Sequence, residues 1–387
     1  MSAGSQAFSA TDTDRLVALR HELHQTPEIS GEERQTAARI AGIVEALRPD
    51  AMFTGLGGTG VAAVFDSGNP GPAVLFRSEL DGLPIHETGN CAWRSRIDGR
   101  GHLCGHDGHM AILTGLADAL AARRPGKGRV IVLFQPAEET GAGAAAVIAD
   151  PGFEAIRPDF AFAFHNLPGL PLGSGAVRSG ASNFASEGLS IRLGGRTAHA
   201  SQPEAGISPA AALCELVTAL PELPLRLGLH PGTALSTLVH ARLGEAAFGI
   251  APGEADVWAT LRSIDDQRQE QLMQAARDLA TKTAQRHGLT VVFEGHDRFA
   301  ACHNDPEAEM FVRSAFAVEG VATTAISDPF RWSEDFGLFG SVAKSALFVL
   351  GAGIDHPRLH NPDYDFPDAL IPLGVRLFEQ IARRICD

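Results

Sequence analysis

The chain has 387 residues, of which 44% are hydrophobic, and it carries 32 basic against 46 acidic side chains, a net charge of −14. This length predicts roughly two or three domains, and the acidic balance argues against binding to nucleic acid or to an anionic membrane. The longest apolar runs fall short of the ~18 residues of a membrane-spanning helix. With no recognisable signal in MSAGSQAFSATDTD and five widely spaced cysteines, we expect a cytoplasmic protein without disulfides.

The first part of the chain predicts helices that alternate with short apolar strands. Leucines at helical spacing, followed by Pro27, predict a helix over residues 14–26. Further helices are predicted at 31–47, at 109–122, after Gly143, at 306–318 and at 369–385, and strands at 61–65, 73–79, 130–134, 160–164 and 346–351. This alternation predicts an α/β fold on a mainly parallel sheet that is covered on both faces.

The pattern changes between residues 184 and 300. There the chain predicts a strand, a helix, two strands, a helix and a strand, which is the βαββαβ order of ferredoxin-like domains. The α/β pattern resumes after about residue 300. We therefore predict a larger domain formed by residues 1–183 and 301–387, with a ferredoxin-like domain of residues 184–300 inserted into it.

The run GLGGTG at residues 55–60 matches the G-x-G-x-x-G spacing of dinucleotide-binding loops. Such a loop follows a strand and opens a helix, whereas here the strand VAAVF follows the glycines. We interpret the run as a hairpin turn.

The densest group of candidate metal ligands lies in GHLCGHDGHM, residues 101–110. Cys104, His106, Asp107 and His109 stand there just before a predicted helix. Thiolate, imidazole and carboxylate are the usual ligands of Zn²⁺ and similar ions. The alternative is a buried free cysteine beside surface histidines.

Acidic and histidine side chains also follow several predicted strands. They are Glu79 and Asp81, the adjacent pair Glu138 and Glu139, His165, and His360. Ligand sites of open α/β sheets gather at the carboxyl ends of the strands, and two adjacent carboxylates repel each other unless a cation or a shared proton intervenes. A glutamate pair can also be an ordinary acidic helix N-terminus, and a lone histidine is usually structural. Their convergence nevertheless indicates a metal site.

These segments resemble the aminoacylase/acetylornithine deacetylase superfamily of metallopeptidases. Within it they are most similar to the amidohydrolase group of hippurate hydrolases and indole-acetyl-amino acid hydrolases. The matching segments run from about residue 16 to residue 370 in family order: LHQTPEISGEE, RSELDGLPIHE, GHLCGHDGHMA, VLFQPAEE, GRTAHAS, WSEDF and LHNPDYDFPD. The combination of CGHDGH with QPAEE is specific to this group.

The resemblance implies two divalent ions per subunit: Zn, Mn, Co or Ni. It implies five metal ligands: Cys104 as the bridge between the ions, His106, Glu139, His165 and His360. Glu138 is then the general base that deprotonates the attacking water, and Asp81 orients His106. The larger domain is thereby expected to be the catalytic metal-binding domain.

For the inserted domain, the resemblance implies a lid that also forms a dimer. His199 matches a histidine that reaches the other subunit's site and stabilises the oxyanion, and Arg262 matches a residue that binds the substrate carboxylate. Gly351 and Gly353 are expected to let the backbone approach the substrate. The alternatives are a solvated loop histidine, a surface arginine and a simple turn.

Three positions depart from the family pattern. Glu79 stands where the family usually has aspartate, Gly249 replaces an asparagine, and HASQPE lacks the second histidine that usually follows His199. The predicted ligands are intact, so these departures bear on the substrate and not on hydrolysis itself.

The sequence thus predicts a metal-dependent amidohydrolase of N-acyl amino acids or related small N-acyl conjugates, acting as a homodimer or a higher homo-oligomer. The acyl group is expected near Phe330, Trp332 and Phe336, unless these aromatic residues belong to the core. Dipeptidase or carbamoylase action on the same centre, and a non-catalytic metal-binding dimer, are the alternatives. A thiol hydrolase that uses Cys104 and His106 is disfavoured because it leaves both glutamates without a role.

Overall fold

The computed structural model describes residues 10–230 and 232–387. Residues 1–9, on which the expected absence of a signal sequence largely rests, lie outside that range. Within it, no helix is both long and apolar enough to cross a membrane.

The described residues form alternating helices and strands. The helices are α1 (Ala10–His24), α2 (Arg34–Ala46), α3 (His106–Ala122), α4 (Gly143–Ala149), α5 (Ala210–Arg226), α6 (Asp266–Arg286), α7 (Pro306–Glu319) and α8 (Leu370–Cys386). The strands are β1 (Ala51–Leu56), β2 (Gly60–Asp66), β3 (Ala73–Glu79), β4 (Arg129–Gln135), β5 (Phe160–Pro168), β6 (Gly175–Ala176), β7 (Gly180–Asn183), β8 (Ala185–Gly194), β9 (Ala198–His199), β10 (Ala234–Leu243), β11 (Ile250–Ala251), β12 (Glu254–Ser263), β13 (Thr290–Phe299), β14 (Cys302–Asn304) and β15 (Lys344–Gly353).

The chain divides into two compact units. Unit 1 contains the residues up to Ser182 together with Cys302–Ser327 and Asp335–Asp387, and unit 2 contains Asn183–Ala301 and Asp328–Glu334. The short segment Asp328–Glu334 differs from the expected division, which assigns it to the larger domain. It packs with unit 2 because Phe330 bridges Asn183, and because Arg262 donates hydrogen bonds to residues of this segment.

Unit 1 is built on a seven-stranded sheet with the strand order β1-β2-β4-β3-β5-β15-β6. The three central pairs, from β4 to β15, are parallel, whereas the β1–β2, β2–β4 and β15–β6 pairs are antiparallel. The sheet is therefore mixed, and the prediction of a mainly parallel sheet holds for its core. The hairpin interpretation of GLGGTG explains one antiparallel edge, since this turn joins β1 to β2.

The central strands of unit 1 are buried on both faces, which explains their continuous apolar sequences. Every residue of β3 is buried, and the ring of Phe76 packs against Phe162 and Phe378 at centroid distances of 5.6 and 4.9 Å. Helices α3 and α8 contribute to the same hydrophobic core. This packing places the carboxyl ends of β3, β4, β5 and β15 at one edge of the sheet.

Unit 2 has its own four-stranded antiparallel sheet, with the strand order β10-β12-β8-β13. One face carries Ile191, Val257 and Leu261, which pack with apolar residues of α5 and α6. The side chain of Trp258 points away from that core and is exposed. Unit 2 thus buries a separate apolar core.

Candidate metal centre

The sequence motif at residues 101–110 lies at the carboxyl edge of the unit 1 sheet, where it leads into α3. Gly105, between Cys104 and His106, has a left-handed φ of 96°. A Cβ atom at Gly105 would lie 2.4 Å from Oδ1 of Asn166, so a side chain does not fit there. The glycine permits the tight turn that brings the thiol and the imidazole to the same side.

The structure brings the five expected ligands and Glu138 together. Three groups of potential ligand atoms lie within 4.8 Å of one another: Cys104 with His106 and His165, Cys104 with Glu139 and His360, and His106 with Glu138 and Glu139. Cys104 Sγ lies 3.4 Å from His165 Nε2, and His360 Nε2 lies 3.6 Å from Glu139 Oε2. Cys104 belongs to two of these groups, which is the position that a bridging ligand requires.

The donor set fits divalent metal ions. His106 Nε2 is buried and has no hydrogen-bond partner among the described residues, yet it lies 3.8 Å from Glu139 Oε1 and 3.9 Å from Glu138 Oε2. A buried ring nitrogen without a hydrogen bond costs free energy unless another group satisfies it. Thiolate, imidazole and carboxylate together suit Zn²⁺ and related first-row ions.

The histidines of the cluster differ in their electrostatic surroundings. Burial opposes a charge on His106, but the carboxylates of Glu79, Asp81 and Glu139 outweigh it and raise its pKa to about 10. Burial lowers the pKa of His165 to about 3 and that of His360 to about 4. His165 and His360 are therefore neutral imidazoles, which is the form that binds a metal. The carboxylates around His106 create a negative potential that favours binding of a metal cation there.

The turn that carries Glu138 and Glu139 contains a strained residue. Ala137, directly before them, has a left-handed φ of 50°, which is uncommon for a residue other than glycine. Its amide donates a hydrogen bond to Glu33 Oε1 at 2.8 Å. Glu33 is fully buried and also accepts hydrogen bonds from Gly31 and Thr59. The buried carboxylate of Glu33 thus holds this turn in place.

The carboxylates of Asp81 and Asp335 bind the backbone that follows Ala137. Asp81 Oδ2 accepts a hydrogen bond from the Glu139 amide at 3.0 Å, and Asp335 Oδ2 accepts one from Ala144 at 2.8 Å. The Asp335 amide in turn donates to Glu138 Oε1 at 3.4 Å. The backbone around Glu138 and Glu139 is therefore bound by segments that are distant in sequence.

Asp81, which was expected to orient His106, contacts its ring chiefly through the backbone, and the orienting role stays a prediction. His106 Nδ1 lies 2.8 Å from the Asp81 carbonyl oxygen and 3.5 Å from Asp81 Oδ1. Since Nδ1–H donates to the carbonyl, Nε2 is left facing the glutamates. The carboxylate of Asp81 binds Ser30 and the Glu139 amide instead.

A second group of buried side chains combines His109 and Glu79, which were candidates from the sequence, with Asn166 and Tyr364, which were not. His109 Nδ1 lies 2.6 Å from Glu79 Oε2, its Nε2 lies 2.5 Å from Asn166 Oδ1, and Asn166 donates to the Tyr364 hydroxyl. The i, i+3 spacing from His106 places His109 on the same side of α3. Asn166 and Tyr364 are 198 residues apart and follow no pattern in the sequence.

Glu79, which replaces the usual aspartate, also pairs with Arg77. The Arg77 guanidinium binds Asp335 as well, and its Nε donates to Gln135 Oε1 at 3.0 Å. All four side chains are buried. A fully buried ion network therefore lies at the ends of β3 and β4.

The predicted residues His199 and Arg262 belong to unit 2. His199 is exposed, and its Nδ1 accepts hydrogen bonds from the Ser201 amide and hydroxyl, which places the proton of a neutral ring on Nε2. Arg262 donates to the Arg331 carbonyl oxygen and to Ser333 Oγ, and burial lowers its pKa. Among the described residues, no carboxylate lies within 4.0 Å of its guanidinium.

Gly249, which replaces the family asparagine, is exposed, and its carbonyl accepts a hydrogen bond from Ala200. Its contact is therefore with the residue that follows His199.

The two glycines at the end of β15 have structural reasons to be glycine. A Cβ atom at Gly351 would lie 2.1 Å from the Pro171 carbonyl oxygen, and Gly353 has a left-handed φ of 122°. Their expected contact with substrate stays a prediction.

Of the three aromatic residues expected near the acyl group, Phe336 is buried in unit 1. Phe330 and Trp332 are half-buried in unit 2 and stack at 5.4 Å. Phe336 is therefore a core residue of unit 1.

Thiol, imidazole and carboxylate donors converge at the strand ends of the mixed sheet of unit 1. The carboxylate of Glu138 lies beside them. This combination defines a metal-dependent hydrolase.

The chain belongs to peptidase family M20/M25/M40, whose family model matches residues 75–384. It is 29% identical to the N-acetyl-L-cysteine deacetylase of Bacillus subtilis over 96% of this chain and 88% of that one. It is also 29% identical to the hippurate hydrolase of Campylobacter jejuni over 94% of each chain. The predicted family resemblance and the hydrolase class are confirmed.

A solved structure of a dinuclear metal-binding M20 peptidase from Bacillus subtilis superposes with a TM-score of 0.81. It is 25% identical in sequence, and the match covers 98% of this chain and 99% of the other. The fold of the chain is therefore that of the M20 peptidases.

Proposed function

We propose that the chain hydrolyses the amide bond of N-acyl amino acids or related small N-acyl conjugates, releasing a carboxylic acid and an amine. The observation that carries this proposal is the position of Glu138. Its carboxylate lies beside the candidate ligands His106 and Glu139 and receives a hydrogen bond from the Asp335 amide. A purely structural metal site has no need of this additional carboxylate. The relatives named for N-acetyl-L-cysteine and hippurate support the substrate class.

Cys104, His106, Glu139, His165 and His360 would hold two divalent ions per subunit, which are Zn, Mn, Co or Ni. Ions in this position lower the pKa of water and polarise a substrate carbonyl. Glu138 takes the proton from the attacking water and delivers it to the leaving amine. The hydrogen bond from Asp335 and the restrained turn at Ala137 keep the Glu138 carboxylate directed at the centre.

Arg262 binds the carboxylate of the amino acid product half. The support is its half-buried guanidinium, which forms hydrogen bonds to neutral oxygens only. A guanidinium fork matches the geometry of a carboxylate. In unit 1, Gly351 and Gly353 would let the backbone approach the substrate closely.

Unit 2 acts as a ferredoxin-like lid and dimerisation domain. Support comes from its element order and from its separate core. In the resulting homodimer, His199 donates its Nε2–H to the oxyanion at the partner's centre. The chain works in the cytoplasm, in keeping with five free cysteines.

A hydrolysis panel tests the proposal. Purified protein is offered N-acetyl, N-benzoyl, long-chain acyl and indole-acetyl amino acids, dipeptides and N-carbamoyl amino acids, each with and without a chelator and with Zn²⁺, Mn²⁺ or Co²⁺ restored. We expect release of one acyl class that stops with chelator and returns with metal. Turnover of dipeptides or N-carbamoyl compounds alone, or no turnover on any compound, would contradict the proposal.

The role of His199 in the partner's site has a separate test. We expect heterodimers of a His199→Ala subunit and a Glu138→Gln subunit to recover part of the activity that each homodimer lacks. Verified heterodimers without recovery would exclude action across the dimer.

A further inference from the structure

We propose that unit 1 contains a separate cation site, formed by His24, Glu87, Cys91 and Asp365, and that it takes Zn²⁺. The site shares no residue with the centre described above. His24 is the last residue of α1, Glu87 and Cys91 lie in the loop between β3 and α3, and Asp365 lies before α8.

The spacing of the four side chains suits a tetrahedral ion. A ring nitrogen of His24, Cys91 Sγ and a carboxylate oxygen of Asp365 all lie within 4.8 Å of one another. Glu87 Oε1 lies 3.2 Å from His24 Nε2 and 3.7 Å from Cys91 Sγ. Tetrahedral zinc with ordinary bond lengths separates nitrogen from oxygen by about 3.4 Å and sulfur from oxygen by about 3.6 Å. The two separations from Glu87 Oε1 are therefore close to those between ligands of one zinc ion.

The orientation of His24 is that of a metal-binding histidine. Its Nδ1 lies 2.8 Å from Asp107 Oδ2, so the Nδ1–H donates to this buried carboxylate. Metal-bound histidines commonly donate their other ring N–H to a carboxylate. The Nε2 lone pair then faces Glu87 Oε1, and two acceptors at that distance repel each other unless a proton or a cation lies between them. Zn²⁺ takes the place of that proton.

Negative charge is in excess around the site. The carboxylates of Glu87, Asp107 and Asp365 surround His24 and Cys91, and Arg20 is the guanidinium that pairs with Asp107 and Asp365. Asp107 Oδ1 is buried without a hydrogen-bond partner among the described residues. A buried carboxylate group with too little positive charge favours a bound cation.

Both candidate carboxylate ligands are held in place by other donors. The Ser95 amide donates to Glu87 Oε2 at 2.7 Å, and Trp93 Nε1 lies 3.2 Å from both oxygens of Asp365. Trp93 is itself fixed, because its ring stacks on His21 at a centroid distance of 3.6 Å. The ligands are therefore preorganised, as a specific site requires.

A cavity gives the ion access to the site from solvent, and the thiol of Cys91 favours zinc over harder cations. A cavity of about 590 Å³ is lined by residues of the loop 86–98, including Glu87 and Cys91. A set with one thiolate and one imidazole favours Zn²⁺ over Mg²⁺ or Ca²⁺, which prefer oxygen ligands only. Bound Zn²⁺ would tie α1 to the loop that leads into the motif at residues 101–110.

Metal counting with a cysteine variant tests the site. Wild type, Cys91→Ser and the control Cys214→Ser are equilibrated with Zn²⁺, and bound zinc per chain is measured by elemental analysis. Cys214 is an exposed cysteine of unit 2. We expect Cys91→Ser to bind one ion fewer per chain than wild type, and Cys214→Ser to match wild type. Equal zinc content in Cys91→Ser and wild type would overturn the proposal.

A second measurement uses the unmodified protein and does not depend on the folding of a variant. The rates of alkylation of Cys91 and Cys214 are followed by peptide mass spectrometry with chelator and with Zn²⁺. We expect Zn²⁺ to slow alkylation at Cys91 at least tenfold and to leave Cys214 unchanged. Equal rates at Cys91 under both conditions would refute the site, whatever substrate the enzyme hydrolyses.

Discussion

The two units differ in how deeply several of their ion pairs are buried. Unit 1 buries whole ion networks, such as Arg20 with Asp107 and Arg77 with Asp335, whose side chains have no exposed surface. The unit 2 pair of Arg226 with Glu222 reaches solvent, and even the buried Asp256 of this unit pairs with exposed arginines. Burying charge is costly unless it is fully paired. These two buried pairs of unit 1 involve neighbours of the candidate metal centre, since Asp107 adjoins His106 and Asp335 binds Glu138 through its amide.

The largest expected effect is on catalysis. Glu138→Gln removes the proposed base but leaves the five proposed ligands, so turnover should fall about 10²–10⁴-fold while metal content stays unchanged. Steady-state kinetics and elemental analysis measure the two quantities. Glu154→Gln is the control, since Glu154 is an exposed acid of unit 1. Normal turnover in Glu138→Gln would refute its role as the base.

The next largest effect is on the stability of unit 1. Arg77→Met leaves Glu79 and Asp335 as buried carboxylates without their guanidinium, which should lower the free energy of unfolding by about 3–5 kcal/mol. Denaturant titration followed by circular dichroism measures this loss. A change below about 1 kcal/mol, as for an exposed pair, would mean that the buried network does not differ from the surface pairs of unit 2.

Replacement of Glu33 should affect both the position of the turn that carries Glu138 and the stability of the fold. Glu33→Gln weakens the hydrogen bond to Ala137, so kcat should fall about tenfold with KM nearly unchanged, and the free energy of unfolding should fall by about 1–3 kcal/mol.

The control for Glu33 is Glu28→Gln. Glu28 accepts hydrogen bonds from the first turn of α2 and none from the turn that carries Glu138. We expect Glu28→Gln to lower the free energy of unfolding and to leave kcat unchanged. An equal loss of kcat in both variants would show that Glu33 acts through general destabilisation.

The free energy of unfolding should depend on pH through buried carboxylates of both units, Asp107 in unit 1 and Asp256 in unit 2. Burial opposes a charge on Asp107, but Arg20 and His24 outweigh it and hold its pKa far below its usual value. Hydrogen bonds from Arg242 and Arg192 lower the pKa of Asp256 despite its desolvation. Because both pKa values are lowered, each carboxylate stabilises the fold above about pH 4, and this contribution is lost as the pH falls towards the folded pKa.

Unfolding of chelator-treated wild type, Asp107→Asn and Asp256→Asn at pH 6, 4 and 3 measures this contribution. The stability advantage of wild type over Asp107→Asn should narrow by about 1 kcal/mol between pH 4 and pH 3. We expect the advantage over Asp256→Asn to narrow less. An advantage over Asp107→Asn that widens on acidification would contradict the sign of the shift.

The smallest effect is expected at the surface of unit 2. Arg226→Ala removes an exposed i, i+4 pair with Glu222 and should change the free energy of unfolding by less than about 0.5 kcal/mol. Denaturant titration measures it. A loss above about 2 kcal/mol would show that unit 2 also depends on its ion pairs.

The sequence predicted the parts of the molecule that follow a local pattern. Strand β3 was expected at residues 73–79 and lies at Ala73–Glu79, because a buried parallel strand is a continuous apolar run. The candidate ligands were found because each follows such a strand or stands in one dense motif. The strand β1 preceding the turn GLGGTG was implied by the hairpin interpretation but was not delimited.

The supporting residues were missed because they depend on pairing across the chain. Arg77 meets Asp335 over 258 positions, and Glu33 meets Ala137 over 104 positions. Neither pair has a periodicity or a spacing that a single sequence reveals. The grouping of Asp328–Glu334 with unit 2 differs from the predicted division for the same reason, since its partner Asn183 is far away in the sequence.

The most direct test of the proposed metal centre is anomalous diffraction from crystals of the metal-loaded chain, recorded at the absorption edge of the added metal. We expect peaks within about 2.0–2.3 Å of donor atoms of Cys104, His106, Glu139, His165 and His360, with Glu138 adjacent to them. Metal-loaded crystals without a peak among these five residues, grown from protein with chelator-sensitive amide hydrolysis, would contradict it.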